Sequence, residues 1–166
     1  MTSLSLIPAL PLLGFLVNGL AGKRLPRPVV ALLACVLPAL SFLLTLGAFR
    51  TLSGAGQPLT ETLFTWAATA GFRVDAALYF DQVTAVMCLV VTGIGTLIHV
   101  YSIGYMHGDA GYARYFAYLN LFLFFMLVLV LGKNMPMMFI GWEGVGLASY
   151  LLIGFWFQDP AKTAAG

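Results

Sequence analysis

Charge is scarce in this chain: eight Lys or Arg and six Asp or Glu supply 8% of the 166 residues, against 61% hydrophobic side chains. Soluble domains are about 45–50% apolar and about 25% charged, so the composition excludes an ordinary soluble fold and points to a membrane. The net charge of +2 is spread over too few groups to form a basic stripe, which argues against nucleic acid as a partner and for the lipid bilayer as the surroundings. Cysteine is equally sparse. Cys35 and Cys88 stand in separate apolar runs without CxxC or Cys/His spacing, so they offer no metal or iron–sulfur ligand set and read as small buried hydrophobes. No cleavable leader is expected either. The first apolar run has no charged n-region, contains Pro8, Pro11 and Asn18, and leads into a basic loop in place of an A-x-A site, so it reads as a retained helix.

What is abundant is apolar length. A span needs about 20 mostly apolar residues at about 1.5 Å each, and five segments meet this, at about 4–21, 29–49, 81–104, 115–131 and 135–157. The expected fold is therefore an all-α membrane protein with five transmembrane helices in one membrane domain covering 1–166. The connection from about 50 to 80 is the one long enough for structure of its own. Within it TLFTWAATAGFRVDAALYF alternates partly and is broken by Gly71, which predicts a short hairpin lying against the membrane surface. Lys23, Arg24, Arg27, Arg114 and Lys162 fall on one side of these spans, and Arg50, Arg73 and Lys133 on the other. The positive-inside rule places KRLPRP in the cytoplasm, the N-terminus outside and the 50–80 segment extracytoplasmic. Trp66, Tyr79, Tyr101, Tyr105 and Trp156 cluster near span ends, as interfacial anchors do.

Two ionisable groups fall inside the spans. Glu143, in GWEGVGLASYLLIGFWF, is eight residues beyond Met135, about 12 Å deep. A mid-helix acid costs about 2.5–3.5 kcal/mol on insertion scales, so it must be neutral, paired with a cation or hydrated in a cavity. At 100° per residue Pro136, Ile140, Glu143, Leu147, Tyr150 and Gly154 share its face. Gly141, Gly144 and Gly146 surround it, either for close helix packing or to leave room for water. The acid itself is either a polar pin between helices or a proton relay, and intramembrane acids generally mark ion or proton pathways. His99, in TLIHVYSIGYM, is expected near the cytoplasmic end within reach of water or a loop carbonyl. It is either an interfacial, hydrogen-bonded side chain or a proton shuttle. Neither His99 nor His107 has a partner at haem or metal spacing, and Asp81 and Asp159 fall at span boundaries where solvated or capping roles suffice.

Three features together, YFDQVTAVMCLVVTGIGTLIHVYSIGYM, RYFAYLNLFLFFMLVLVLGKNMPMMFIGWEGVGLASYLLIGFWF and the order of the helices, resemble subunit L of NADH-quinone oxidoreductase, respiratory complex I. GWEGVGLASYLLIGFWF is specific for the L-type member, since the related subunits M and N set their acid in different surroundings. The resemblance implies a proton-translocating, antiporter-like subunit built on inverted helical repeats, with no redox centre in this chain. FMN, iron–sulfur clusters and quinone are expected in partner subunits of an enzyme that passes electrons from NADH to quinone. On the same resemblance Glu143 takes the role of a relay glutamate facing a lysine on a later, broken helix, and His99 matches a family histidine to which no firm role attaches. The implied partners are other membrane subunits, especially a neighbouring antiporter-like one, and the implied location is a multi-pass position in the bacterial inner (plasma) membrane. The family continues beyond DPAKTAAG, so the 166 residues are expected to lack its C-terminal remainder and to be inactive alone. A large subunit of a multisubunit sodium/proton antiporter and a hydrogenase-linked membrane subunit carry the same acid and stand as alternatives.

Overall fold

A computed structural model describes residues 3–69, 71–159 and 162. The elements run α1 (Leu6–Leu20), α2 (Arg27–Ala55), β1 (Leu59–Thr69), β2 (Phe72–Phe80), α3 (Gln82–Tyr105), α4 (Tyr112–Leu131) and α5 (Met135–Ile153). Helices α2 to α5 are each long and apolar enough to cross a membrane, and α1 is an apolar helix of 15 residues, about 22 Å long. Helix α1 packs against α2 and α4, α3 packs against the same two, and α5 lies chiefly on α4. Successive helices alternate in direction, so the N-terminal ends of α1, α3 and α5 meet the C-terminal ends of α2 and α4 at the end covered by the hairpin.

Local chemistry sets the helix limits. Asp81 caps α3 by accepting from the Thr84 amide at 2.8 Å, and Asn134 caps α5 by accepting from the Met137 amide at 3.1 Å. Helix α2 runs six residues past the expected end at 49: Thr51 and Ser53 turn their hydroxyls onto the Gly47 and Phe49 carbonyls, and only Gly56, at φ 65°, stops it. Helix α5 ends four residues short of the expected 157. Beyond Gly154 the chain turns, because Phe155 folds inward and is buried against Tyr115 and the Arg114 guanidinium. Inside α1, Pro11 has no N–H to give the Ile7 carbonyl, and the hydroxyl of Ser41 on α2 donates to that oxygen instead, at 2.6 Å. A residue that weakens one helix thereby ties it to the next.

The hairpin is antiparallel, with Leu59 opposite Phe80 and Thr69 opposite Phe72, and its eleven-residue first strand fits the nine-residue second through two register irregularities. Gly71 stands at the turn with φ 91°, a conformation that L side chains resist. The alternation read around Gly71 thus corresponds to a real hairpin. Its base buries Ala76, Leu78 and Phe80 in a cluster with Leu4, Leu127 and Leu131. The Lys133 amide donates to the Ala77 carbonyl at 3.0 Å, and Asn134 Nδ2 donates to that of Asp75 at 2.7 Å, joining the α4–α5 turn to β2. Across the sheet Glu61 accepts from the Ser5 amide at 3.1 Å and the Ser3 and Ser5 hydroxyls at 3.0 and 2.7 Å, placing a carboxylate at the start of α1. Burial alone raises the Glu61 pKa, but the Ser5 and Ser3 hydrogen bonds outweigh it and hold the group below its ordinary value.

Helices α4 and α5 approach through glycine. A Cβ on Gly144 would overlap the Phe125 ring, and one on Gly141 would meet the Leu129 backbone, with the Leu129 Cα 2.5 Å away. With Ala148, fully buried, these residues form the seam.

Three outcomes follow from these contacts. Gly141→Val in the full-length protein should lower stability by about 1–3 kcal/mol, the range for overpacking, read as a lower thermal midpoint in detergent. Ser41→Ala should cost about 1–3 kcal/mol by leaving the Ile7 carbonyl without a donor in the interior. Because the Glu61 pKa is depressed on folding, its contribution is present above the unfolded value of about 4.3 and is lost as pH falls through the lower native value. The thermal midpoint of the parent minus that of Glu61→Gln should accordingly be positive near neutrality and shrink from about pH 5 to about pH 3.

Candidate functional site

Helix α5 has 19 residues, so its midpoint is Gly144 and Glu143 lies beside it. The face that carries Gly141, Gly144 and Ala148 is buried on α4, which turns Glu143 outward. Glu143 is exposed in this five-helix unit, and so are Pro136, Leu147, Tyr150 and Gly154 from the face expected to carry it, with Ile140 partly buried. It makes no hydrogen bond or ion pair with any described residue. The glycines divide by role: Gly141 and Gly144 permit close packing, while a Cβ on Gly146 would meet nothing within 4 Å. Gly146 therefore borders open space on the acid's side of the helix.

His99 is not at a wet helix end. It is 1% exposed, packed between α3 and α4 with its ring 6.4 Å from that of Phe116. Its Nδ1 is 2.7 Å from the carbonyl of Gly95, one turn back on its own helix, so the expected contact with water or a loop carbonyl is replaced by an intrahelical one. A carbonyl can only accept, so Nδ1 carries a proton and donates. That leaves Nε2 buried and without a partner. Glu143 and His99 do not share a site: the acid faces away from α4, and the imidazole faces α4 from the opposite flank.

Two amides join the imidazole in the interior. Asn18 on α1 is 1% exposed with neither side-chain atom paired, and Asn120 on α4 is fully buried. Asn120 donates Nδ2 to the Phe116 carbonyl at 2.9 Å and leaves Oδ1 unpaired, close enough to α1 that a Cβ on Gly14 would stand 2.5 Å from it. Buried polar atoms without partners are few in folded proteins and mark strain, function or ordered water. Sequence reasoning used Asn18 only against a leader and passed over Asn120, although an amide inside an apolar run is a signal available without coordinates. Lower down, Ser102 Oγ is 3.3 Å from the Tyr115 hydroxyl. Among the described residues no group of three or more His, Cys, Asp or Glu is arranged to hold a metal ion.

Comparison with known proteins agrees with this architecture. The family described as NADH-Ubiquinone oxidoreductase (complex I), chain 5 N-terminus matches residues 66–116, and the transmembrane family described as NADH:quinone oxidoreductase/Mrp antiporter matches residues 132–166. NADH-ubiquinone oxidoreductase chain 5 of Allomyces macrogynus is 44% identical over 154 residues, 91% of this chain and 24% of that protein. NADH-quinone oxidoreductase subunit L of Escherichia coli is 42% identical over 167 residues, 99% of this chain and 27% of that protein. The chain thus spans about a quarter of the length of these relatives. A chain in the structure of the membrane-bound sulfane sulfur reductase, an archaeal respiratory membrane complex, shares the fold with a TM-score of 0.82 at 16% identity, over 99% of this chain and 32% of that one. The apolar helices, the hairpin between the second and third of them, the acid at the middle of the fifth and these matches lead to one assignment: the chain belongs to the complex I chain 5/subunit L family of antiporter-like membrane subunits.

Proposed function

We propose that this chain is the acid-bearing segment of a proton-translocating subunit of an NADH-quinone oxidoreductase, and that Glu143 is the group that takes up and releases the proton. The observation that carries the reading is an acid at the midpoint of an apolar helix, turned away from all four neighbouring helices and unpaired within this unit. Against lipid such a group costs about 2.5–3.5 kcal/mol, so the face it occupies is matched by something beyond these five helices. The resemblance to subunit L supplies the partner: a lysine on a later, broken helix. With the lysine close, the carboxylate is favoured; with the lysine withdrawn, the carboxyl rebinds a proton. Electron transfer from NADH to quinone stays with the FMN and iron–sulfur subunits, and this chain converts charge movement in its neighbours, the adjacent antiporter-like subunit above all, into proton movement. The missing side chain at Gly146, where a Cβ would meet nothing within 4 Å, leaves room for water beside the acid. His99, with Nε2 buried and unpaired, is the candidate for a second proton-carrying position on the other side of α4.

The bacterial plasma membrane is the proposed location, with the KRLPRP end in the cytoplasm. A second reading, the large subunit of a multisubunit sodium/proton antiporter, draws on the family description shared by the oxidoreductase and the Mrp antiporter. The two part on their companions: redox subunits copurify under the first, and under the second sodium drives transport without NADH.

Glu143→Gln in the full-length subunit within its complex keeps shape and removes the titrating proton. The relay step should slow on the order of 10²-fold, seen as lost proton pumping during NADH oxidation while the complex assembles normally. Glu143→Asp should retain part of the parental rate. Pumping at the parental rate in Glu143→Gln, with assembly intact, would reduce Glu143 to a packing residue.

A further inference from the structure

The end of the bundle opposite the hairpin holds an open cavity of about 870 Å³, lined by Lys23, Arg27, Gly111, Tyr112, Arg114 and Trp156 among others. Two helices begin at it, α2 at Arg27 and α4 at Tyr112. Neither has an acidic residue in its first turn; the positive end of α2 has no side-chain cap, while that of α4 receives the Asp109 carboxylate on its Gly111 amide. Arg27 is held over the Tyr112 ring and donates to the carbonyls of His107 and Asp109, the former at 2.5 Å, which fixes its position without neutralising it. Arg114 donates Nη2 to the Phe155 carbonyl at 3.2 Å and lies over the Phe155 and Phe157 rings, with its Nε buried and unpaired. Lys23 is exposed and makes no hydrogen bond or ion pair with a described residue.

Two carboxylates also line this cavity. Asp109 accepts from the Gly111 amide at 2.6 Å and from Trp156 Nε1 at 2.9 Å, and Asp159 pairs with Lys162 at 3.6 Å. Against them stand four cations, Lys23, Arg27, Arg114 and Lys162, so the lining keeps a net positive charge.

A second, more apolar crevice of about 400 Å³ adjoins this one and shares Arg114, Phe155, Trp156 and Lys162 with it. It runs between α4 and α5 past Tyr118, Tyr150, Leu151 and Ile153. A cationic chamber at the end of apolar helices that leads into an apolar slot along them matches a molecule with a phosphate at one end and hydrocarbon at the other.

We propose that chamber and slot together bind one anionic phospholipid, its phosphate against Lys23, Arg27 and Arg114 and an acyl chain along Tyr118, Tyr150 and Ile153. Basic pockets between helices at the cytoplasmic face attract anionic headgroups, and Trp156 stands where interfacial aromatics meet them. Tyr150 lies on the face of α5 that carries Glu143, about 10 Å further along the helix, and the lipid site does not depend on the acid's role.

The test uses the full-length subunit in its complex, reconstituted in phosphatidylcholine nanodiscs containing a trace of phosphatidylglycerol with a photoactivatable acyl chain, with the label mapped by peptide. Label is expected on peptides of α4 and α5 bearing Tyr118 and Tyr150. It should fall about fivefold in Lys23→Gln, an exposed side chain with no hydrogen bond or ion pair to a described residue, and about thirtyfold in Lys23→Gln/Arg114→Gln. A phosphatidylcholine probe should label the same peptides weakly and equally in all three proteins, which also reports that the slot is intact. Equal labelling by both probes, no label on these peptides, or no response to Lys23→Gln would overturn the proposal. Loss of phosphatidylglycerol label on adding inorganic phosphate, with sulfate inert, would assign the chamber to a free anion and overturn the lipid.

Discussion

The arrangement of this chain depends on how closely α5 can approach α4. Gly141 and Gly144 allow the Leu129 backbone and the Phe125 ring to come where a side chain would otherwise stand. Since residues 143 and 147 lie on the other flank of the same helix, every ångström of that approach sets the acid facing outward. Backbone contact, and no hydrogen bond or charge pair, decides where Glu143 points. In a bilayer this is a sound basis for specificity, because helix association there relies on close packing rather than on a hydrophobic gradient between protein and surroundings.

Much of this was legible in the residues. Apolar length marked the spans, the period of the helix put Glu143 with Leu147 and Tyr150, and interrupted alternation around Gly71 marked the hairpin. Helix ends were less legible, for physical reasons visible at two places. Helix α2 continues past Arg50, with the Thr51 and Ser53 hydroxyls turned onto carbonyls of their own helix, until Gly56 stops it, while Phe155 leaves α5 and is buried beside Arg114. The surroundings of His99 could not be read at all. Its depth along α3 was countable, but which face α3 turns to α4 depends on packing between segments distant in the chain, and that packing encloses the ring.

Besides the two apolar clusters, one under the hairpin and one around Phe116 and Phe155, the bundle interior holds a set of polar side chains. Ser41, Thr45, Thr92, Asn18, Asn120 and His99 are all buried there. The hydroxyls are consumed by backbone carbonyls, which costs the helices little. The amides and the imidazole are not fully consumed, and this contrast separates side chains that merely tolerate the interior from those that leave bonding capacity open within it.

The two ends of α5 are both fastened. At one, the Lys133 amide and the Asn134 side chain are bonded to β2; at the other, the segment just past the helix is held by Arg114 through the Phe155 carbonyl and by Asp109 through the Trp156 indole. These contacts tie the helix to β2 at one end and to the start of α4 at the other. With both ends tied to neighbouring elements, the freedom closest to the helix centre is that of the Glu143 side chain itself, whose rotatable bonds sweep its carboxyl over only a few ångströms.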